Sequence, residues 1–155
     1  MIKVNVEVNN KTWHTKLKKP EKYLNLKLKK IIKIVPFFRK KNLIFTILLT
    51  NSSFIKKLNK KFRKKNKPTD VLSFPFSSKQ DLKLKKEKNI YIGDIAVCYE
   101  IIKKRSKKTD FFLEFNKVWV HGLLHLIGYD HIKNKDYIKM AKIEEKIISL
   151  LWVDY

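Results

Sequence analysis

Residues 121 to 131 read His121-Gly122-Leu123-Leu124-His125-Leu126-Ile127-Gly128-Tyr129-Asp130-His131 and hold three of the four histidines in the chain. His121 and His125 are four apart, so a helix sets them one turn apart on the same face. The residues leading in are rich in Phe, Val and Trp, and they predict a helix from about Thr109 to Ile127. Gly128 falls where such a helix stops, because glycine accepts the left-handed conformation that reverses the chain. That reversal swings His131 back toward the other two. Three imidazole nitrogens with an open fourth position suit a catalytic Zn²⁺ carrying a water better than a closed structural site. The competing reading is a pair of packed, hydrogen-bonded core histidines; the third histidine, the glycine and the apolar filling weigh against it. Imidazole also suits Ni²⁺ and Cu²⁺, so another divalent transition metal fits the same ligands.

The same spacing occurs in zinc endopeptidases, which place a glutamate directly after the first histidine to activate the water. Here that position is Gly122, which can neither accept nor deliver a proton. Asp130, Asp70 and Asp94 are the carboxylates near the motifs. Asp130 either orients a ligating imidazole or forms its own turn; Asp70 reads as a turn or cap residue, and Asp94 has no assigned role. His14 lies in a polar connector, apart from the metal motif.

Outward from this helix, Ile2, Val4, Val6 and Val8 alternate with polar residues as a half-buried strand does. Residues 12 to 20 read as a polar connector, and 21 to 35 as a helix ending before Pro36. A second strand spans 43 to 50. Asn51 or Ser52 caps a helix to about Lys61, with Phe54, Ile55 and Leu58 turned inward. Residues 63 to 67 form a basic loop. Residues 71 to 76 read as a strand that Pro75 confines to a sheet edge, where free backbone groups can line a substrate groove. Residues 77 to 89 read as charged and mobile, 90 to 97 as a strand and the next residues to about Arg105 as a short helix. A last helix runs from Asn134 or Asp136 to about Leu151, with Ile138, Ala141, Ile147, Ile148 and Leu151 as its apolar face. This order predicts an α+β fold: a mixed, mostly parallel sheet of about four strands, with an edge strand beside a central buried metal-binding helix, zincin-like in arrangement.

The 155 residues suffice for one domain, 1–155, with a core that needs no staples. The N-terminus alternates and carries no secretory leader pattern, and no apolar run is long enough to span a bilayer, so no membrane partner is expected. The lone cysteine, Cys98, fits a reducing cytoplasm and small apolar filling. The formal charge of +23 implies attraction to a polyanion such as RNA. Lys, Asn, Ile and Phe abound beside only two alanines and three glycines, a composition bias that accounts for much of that charge. Against it, the three arginines, Arg39, Arg63 and Arg105, are informative, since a planar fork grips phosphate in two places where lysine cannot.

The 121–131 stretch resembles the signature of the YbeY family of bacterial metal-dependent endoribonucleases, H-G-x-L-H-L-x-G-Y-D-H, at every specified position. A second block, Leu58-Asn59 through Phe62-Arg63 to Lys67-Pro68-Thr69-Asp70-Val71-Leu72-Ser73-Phe74-Pro75, and a third, Gly93-Asp94-Ile95, resemble that family's other hallmarks in the same order. Together they cover most of residues 58 to 131; residues 1 to 50 and the last helix agree only in general pattern. The resemblance implies His121, His125 and His131 as metal ligands and Arg63 as the key catalytic or substrate-binding residue, with Lys67 a candidate RNA contact. It further implies cleavage of single-stranded RNA, in ribosomal RNA 3′-end maturation and ribosome quality control, by a ribosome-associated cytoplasmic enzyme. A zinc peptidase and a non-catalytic RNA- or ribosome-binding module are the alternative readings.

Overall fold

The computed structural model describes residues 1–152. Four strands, β1 (Ile2–Val8), β2 (Asn42–Thr50), β3 (Val71–Pro75) and β4 (Asn89–Cys98), form one sheet in the order β1-β2-β4-β3. β1, β2 and β4 run parallel, and β3 pairs antiparallel with β4 at the edge. The sheet is therefore mixed and mostly parallel, and Pro75 sits on an edge strand, where its missing N–H costs no ladder bond.

Side-chain alternation fixes which face is covered. Ile2 and Val4 of β1, Leu43, Phe45, Ile47 and Leu49 of β2 and Ile95 and Val97 of β4 are all buried. They join one core with α1 (Pro20–Ile31) and α6 (Phe111–Leu126), which is apolar nearly all round and therefore central. Asp110 starts α6 by accepting from the Leu113 N–H at 3.0 Å. The last helix, α7 (Asn134–Trp152), packs on α6 through Met140, Ile147 and Leu151. The other sheet face carries α3 (Ser52–Arg63), capped by Asn51, whose Oδ1 accepts from the Phe54 N–H at 2.9 Å.

Gly93 shows why one hallmark block needs its glycine. The β2–β4 register slips at this point, with Ile44 facing Tyr91 but Phe45 facing Gly93, a β-bulge. Gly93 has φ +136°, and a Cβ there would lie 2.2 Å from the Phe74 carbonyl oxygen. Any side chain would push β3 off the sheet.

Four expectations need correction. The connector holds a 3₁₀ turn, Lys11–Thr15, whose Trp13 is fully buried; its indole N–H donates to the Thr50 carbonyl at 2.9 Å. Pro36 not only closes the preceding helical region but opens a short helix, α2 (Pro36–Lys40), as a proline at the first helical position can. Within 77–89 lies α4 (Lys79–Leu84), anchored by buried Leu82 and capped by Ser78. Phe54 and Ile138 point outward, because α3 turns Ile55 and Asn59 inward and α7 turns Met140 and Ile147 inward. The short helix read after β4 is present as α5 (Tyr99–Arg105).

Candidate metal centre

The end of α6 builds the site by local rules. Gly128, at φ +89°, ends the helix in a paired-bond reversal: its N–H donates to the His125 carbonyl at 3.0 Å, and the Tyr129 N–H donates to the Leu124 carbonyl at 3.0 Å. The reversal does two things. It lays the Tyr129 carbonyl against the His125 ring, and it returns His131 to the other two histidines. A ligand atom from each of His121, His125 and His131 lies within 4.8 Å of the others, and this is the group with metal-binding geometry among the described residues. Ring centroids are 4.6 Å apart for His121–His125, 5.0 Å for His125–His131 and 5.6 Å for His121–His131.

Tautomers follow from the partners. The His125 Nδ1 lies 2.9 Å from the Tyr129 carbonyl, which only accepts, so Nδ1 carries the proton and Nε2 is bare. The His121 Nδ1 lies 2.5 Å from Glu144 Oε1, a carboxylate oxygen that accepts from it, which turns the ring's Nε2 toward His125. These two Nε2 atoms face one another at 3.0 Å. With both rings neutral, two lone pairs at that distance repel, and a positive centre between them relieves the repulsion. Nitrogens bound at about 2.0–2.1 Å to one tetrahedral ion stand roughly 3.3 Å apart, so the donor set fits a metal with little adjustment. Burial, reinforced by the neighbouring His121 and His131, holds His125 below the usual imidazole range, which keeps its lone pair free for an ion. His131, by contrast, is exposed and leaves the site open on its side.

Gly122 sits inside the motif for want of space. Its carbonyl accepts from the Ser73 hydroxyl of β3 at 3.3 Å, and a Cβ would meet Ile95 Cγ2 at 3.0 Å and Ser73 Oγ at 3.1 Å. α6 therefore lies directly on the edge strand. Arg63, the last residue of α3, reaches the same strand: its Nη2 donates to the Ser73 carbonyl at 3.4 Å. One residue, Ser73, thus links the guanidinium to the backbone between two of the histidines.

The other sequence candidates separate. Lys67 lines the Arg63 cleft together with Pro68, Asp70 and Arg105; its carbonyl accepts from Asn59 Nδ2 at 2.8 Å, and its ammonium is exposed. The Asp130 carboxylate accepts from the His131 backbone N–H at 2.7 Å, a contact within its own turn. Asp70 caps β3 through the Val71 N–H and pairs with Arg105 at 2.6 Å. Asp94 points to the sheet face opposite Ile95 and α6, where it accepts from the Tyr91 hydroxyl at 2.5 Å. The His14 ring is hydrogen-bonded to the Leu17 carbonyl, away from the three clustered histidines.

Two partners went unread in the sequence: the Tyr129 carbonyl and Glu144. A signal existed for the second. Met140, Glu144, Ile147 and Leu151 recur at helical spacing, so Glu144 is an acid on the buried stripe of α7.

Comparison with known proteins finds similarity along nearly the whole chain. A family model described as Endoribonuclease YbeY matches residues 7–151. A protein of Pelagibacter ubique named Endoribonuclease YbeY is 46% identical over 155 residues, covering 97% of each chain. One of the same name from Ehrlichia canis is 32% identical over 155 residues, with 99% of this chain and 94% of that one covered. The solution structure of TM1509 from Thermotoga maritima is similar at a TM-score of 0.62 and 29% identity, covering 99% of this chain and 91% of that one.

Proposed function

Since the chain belongs to the YbeY family and is by that membership an endoribonuclease, we propose that it cuts RNA with one divalent ion, Zn²⁺ in the first instance, held by His121, His125 and His131. Its substrate is single-stranded RNA, and its place is ribosomal RNA 3′-end maturation and ribosome quality control, at the ribosome, in the cytoplasm. The observation that carries the metal reading is the convergence of three histidine ligand atoms within 4.8 Å, with the His121 and His125 Nε2 atoms facing each other at 3.0 Å and each Nδ1 turned to an acceptor. A central helix bearing two histidines one turn apart, lying against a free strand edge, supports a zincin-like arrangement within a single domain, 1–155. Among the described residues no helix is long and apolar enough to cross a membrane.

The residues divide the chemistry. When bound, the ion supplies Lewis acidity toward a phosphoryl oxygen and an acidified water. His125 and His121 present Nε2 because Tyr129 and Glu144 hold the opposite nitrogens. The Arg63 guanidinium, tethered to β3 by a single long bond, has donors to spare for a phosphate laid along the strand edge, where it offsets charge developing on the phosphoryl oxygens. Lys67 extends the positive wall of that cleft. Gly122 supplies no base, and the packing around it admits none, which disfavours peptide hydrolysis.

The test is a paired incubation of untagged protein with single-stranded RNA and with casein, with and without chelator. Chelator-sensitive loss of the RNA alone is expected. Casein cleavage would favour the peptidase reading. RNA bound yet never cut, with His125→Ala melting the protein, would favour a binding module whose metal only holds the fold.

A further inference from the structure

We infer that Glu144 is the positioning residue of the metal site: it fixes the His121 tautomer and ring orientation from α7, an element outside the histidine motif. The inference rests on the three-histidine reading above and deepens it. Two of the three rings have a fixed Nδ1 partner. For His125 the partner is the Tyr129 carbonyl, four residues on, built by the same reversal that ends the helix. No such local group serves His121, whose following residues are still helical and use their carbonyls in the ladder. Its partner must come from elsewhere in the fold, and Glu144 Oε1 lies 2.5 Å from Nδ1 across the α6–α7 contact.

Glu144 is half-buried, where a partner offsets part of its desolvation. It occupies the inward stripe of α7 between Met140 and Ile147, 2% and 1% exposed, where a leucine would pack with less desolvation. Its neighbour Glu145 is exposed and has no hydrogen-bond partner among the described residues, as a solvated helix acid does. Among the described residues Glu144 makes one bond, to the ring. A carboxylate on the far nitrogen also makes the imidazole a better donor to an ion, and loss of such partners typically weakens metal binding about 10–100-fold. With the His121 and Glu144 side chains 32% and 28% exposed, water can partly replace the contact, which puts the expected effect near the lower end.

A plain ion pair tying α7 to α6 is the alternative, and two measurements separate it. The first is the ¹⁵N ring-shift pattern of His121 in metal-free wild-type protein at pH 8. The expected pattern is a single tautomer with the proton on Nδ1; a bare Nδ1 or an even mixture would overturn the inference, with no variant required. The second is Zn²⁺ affinity by competition with a chromophoric chelator for wild type, Glu144→Ala, Glu144→Gln and Glu145→Ala. Glu144→Ala should bind about tenfold more weakly. Glu144→Gln, which keeps an oxygen acceptor, should fall between it and wild type, and Glu145→Ala should match wild type. Equal affinity in Glu144→Ala and wild type would leave only the ion pair and defeat the inference. Wild-type protein that bound no Zn²⁺ would defeat the metal reading, and the ring-shift pattern would still decide what Glu144 does to His121.

Discussion

Gly122→Glu completes the zinc-peptidase sequence His-Glu-x-x-His, yet the structure predicts a damaged protein instead of a peptidase. A Cβ at position 122 would meet Ile95 Cγ2 at 3.0 Å, Ser73 Oγ at 3.1 Å and Ile95 Cδ1 at 3.2 Å. Comfortable carbon contacts are about 3.5–4.0 Å, so these neighbours would have to give by a few tenths of an ångström. Ile95 cannot do so cheaply, being fully buried in β4 between β2 and β3. Overpacking of this kind costs about 1–3 kcal/mol. Desolvating the added carboxyl in this packed interface costs about 1–3 kcal/mol more even when protonated. The gain in helix propensity over glycine returns about 1 kcal/mol at most. The net is on the order of 3 kcal/mol, a fall of roughly 6–12 °C in the midpoint of a chain this size. Calorimetry of metal-free wild type and variant measures the shift, and casein digestion with added Zn²⁺ measures gained activity. An unchanged midpoint, or zinc-dependent casein cleavage, would refute the claim that packing against β3 bars a base from this position.

Arg63→Lys should keep metal content and thermal midpoint while RNA cleavage falls about 100-fold, the loss typical of one preorganised charge-stabilising donor; full activity would remove Arg63 from the mechanism. Trp13→Ala should cost about 3–5 kcal/mol, since it empties a fully buried site and leaves the Thr50 carbonyl without its 2.9 Å donor; a midpoint within a few degrees of wild type would contradict that packing. Burial pushes the Cys98 thiol above its ordinary range, and it is enclosed with Ile55, Leu72 and Ala96. Ellman's reagent should therefore titrate one thiol in denaturant and almost none in the native protein at pH 8, whereas rapid native labelling would mean the α3–sheet contact opens.

The parts of this protein that were legible in the sequence are those set by spacing along one element. His121 and His125 share a helix face, Gly128 ends that helix and Pro75 marks an edge strand, each by a rule that spans a few residues. What stayed hidden depends on contacts between distant elements. Glu144 lies 23 residues from His121, and only the packing of α7 on α6 makes it a ring partner. Trp13, alone in a polar stretch, has no periodicity to announce its burial, and the six residues of α4 are too few to show a pattern among lysines. Phe54 shows the opposite failure: as a large apolar residue one position before Ile55 it invited an inward reading, but the cap at Asn51 sets the rotation of α3 and leaves it 39% exposed. Gly122 and Gly93 were readable as motif letters, whereas the crowding by Ile95, Ser73 and the Phe74 carbonyl that requires them exists only in three dimensions.

The central claim is that three imidazoles share one ion and leave a position for solvent. X-ray absorption at the metal edge of untagged protein tests it most directly. The account predicts three imidazole nitrogens and one further light atom at about 2.0–2.1 Å. A first shell with fewer than three imidazoles, or one containing sulfur, would contradict it.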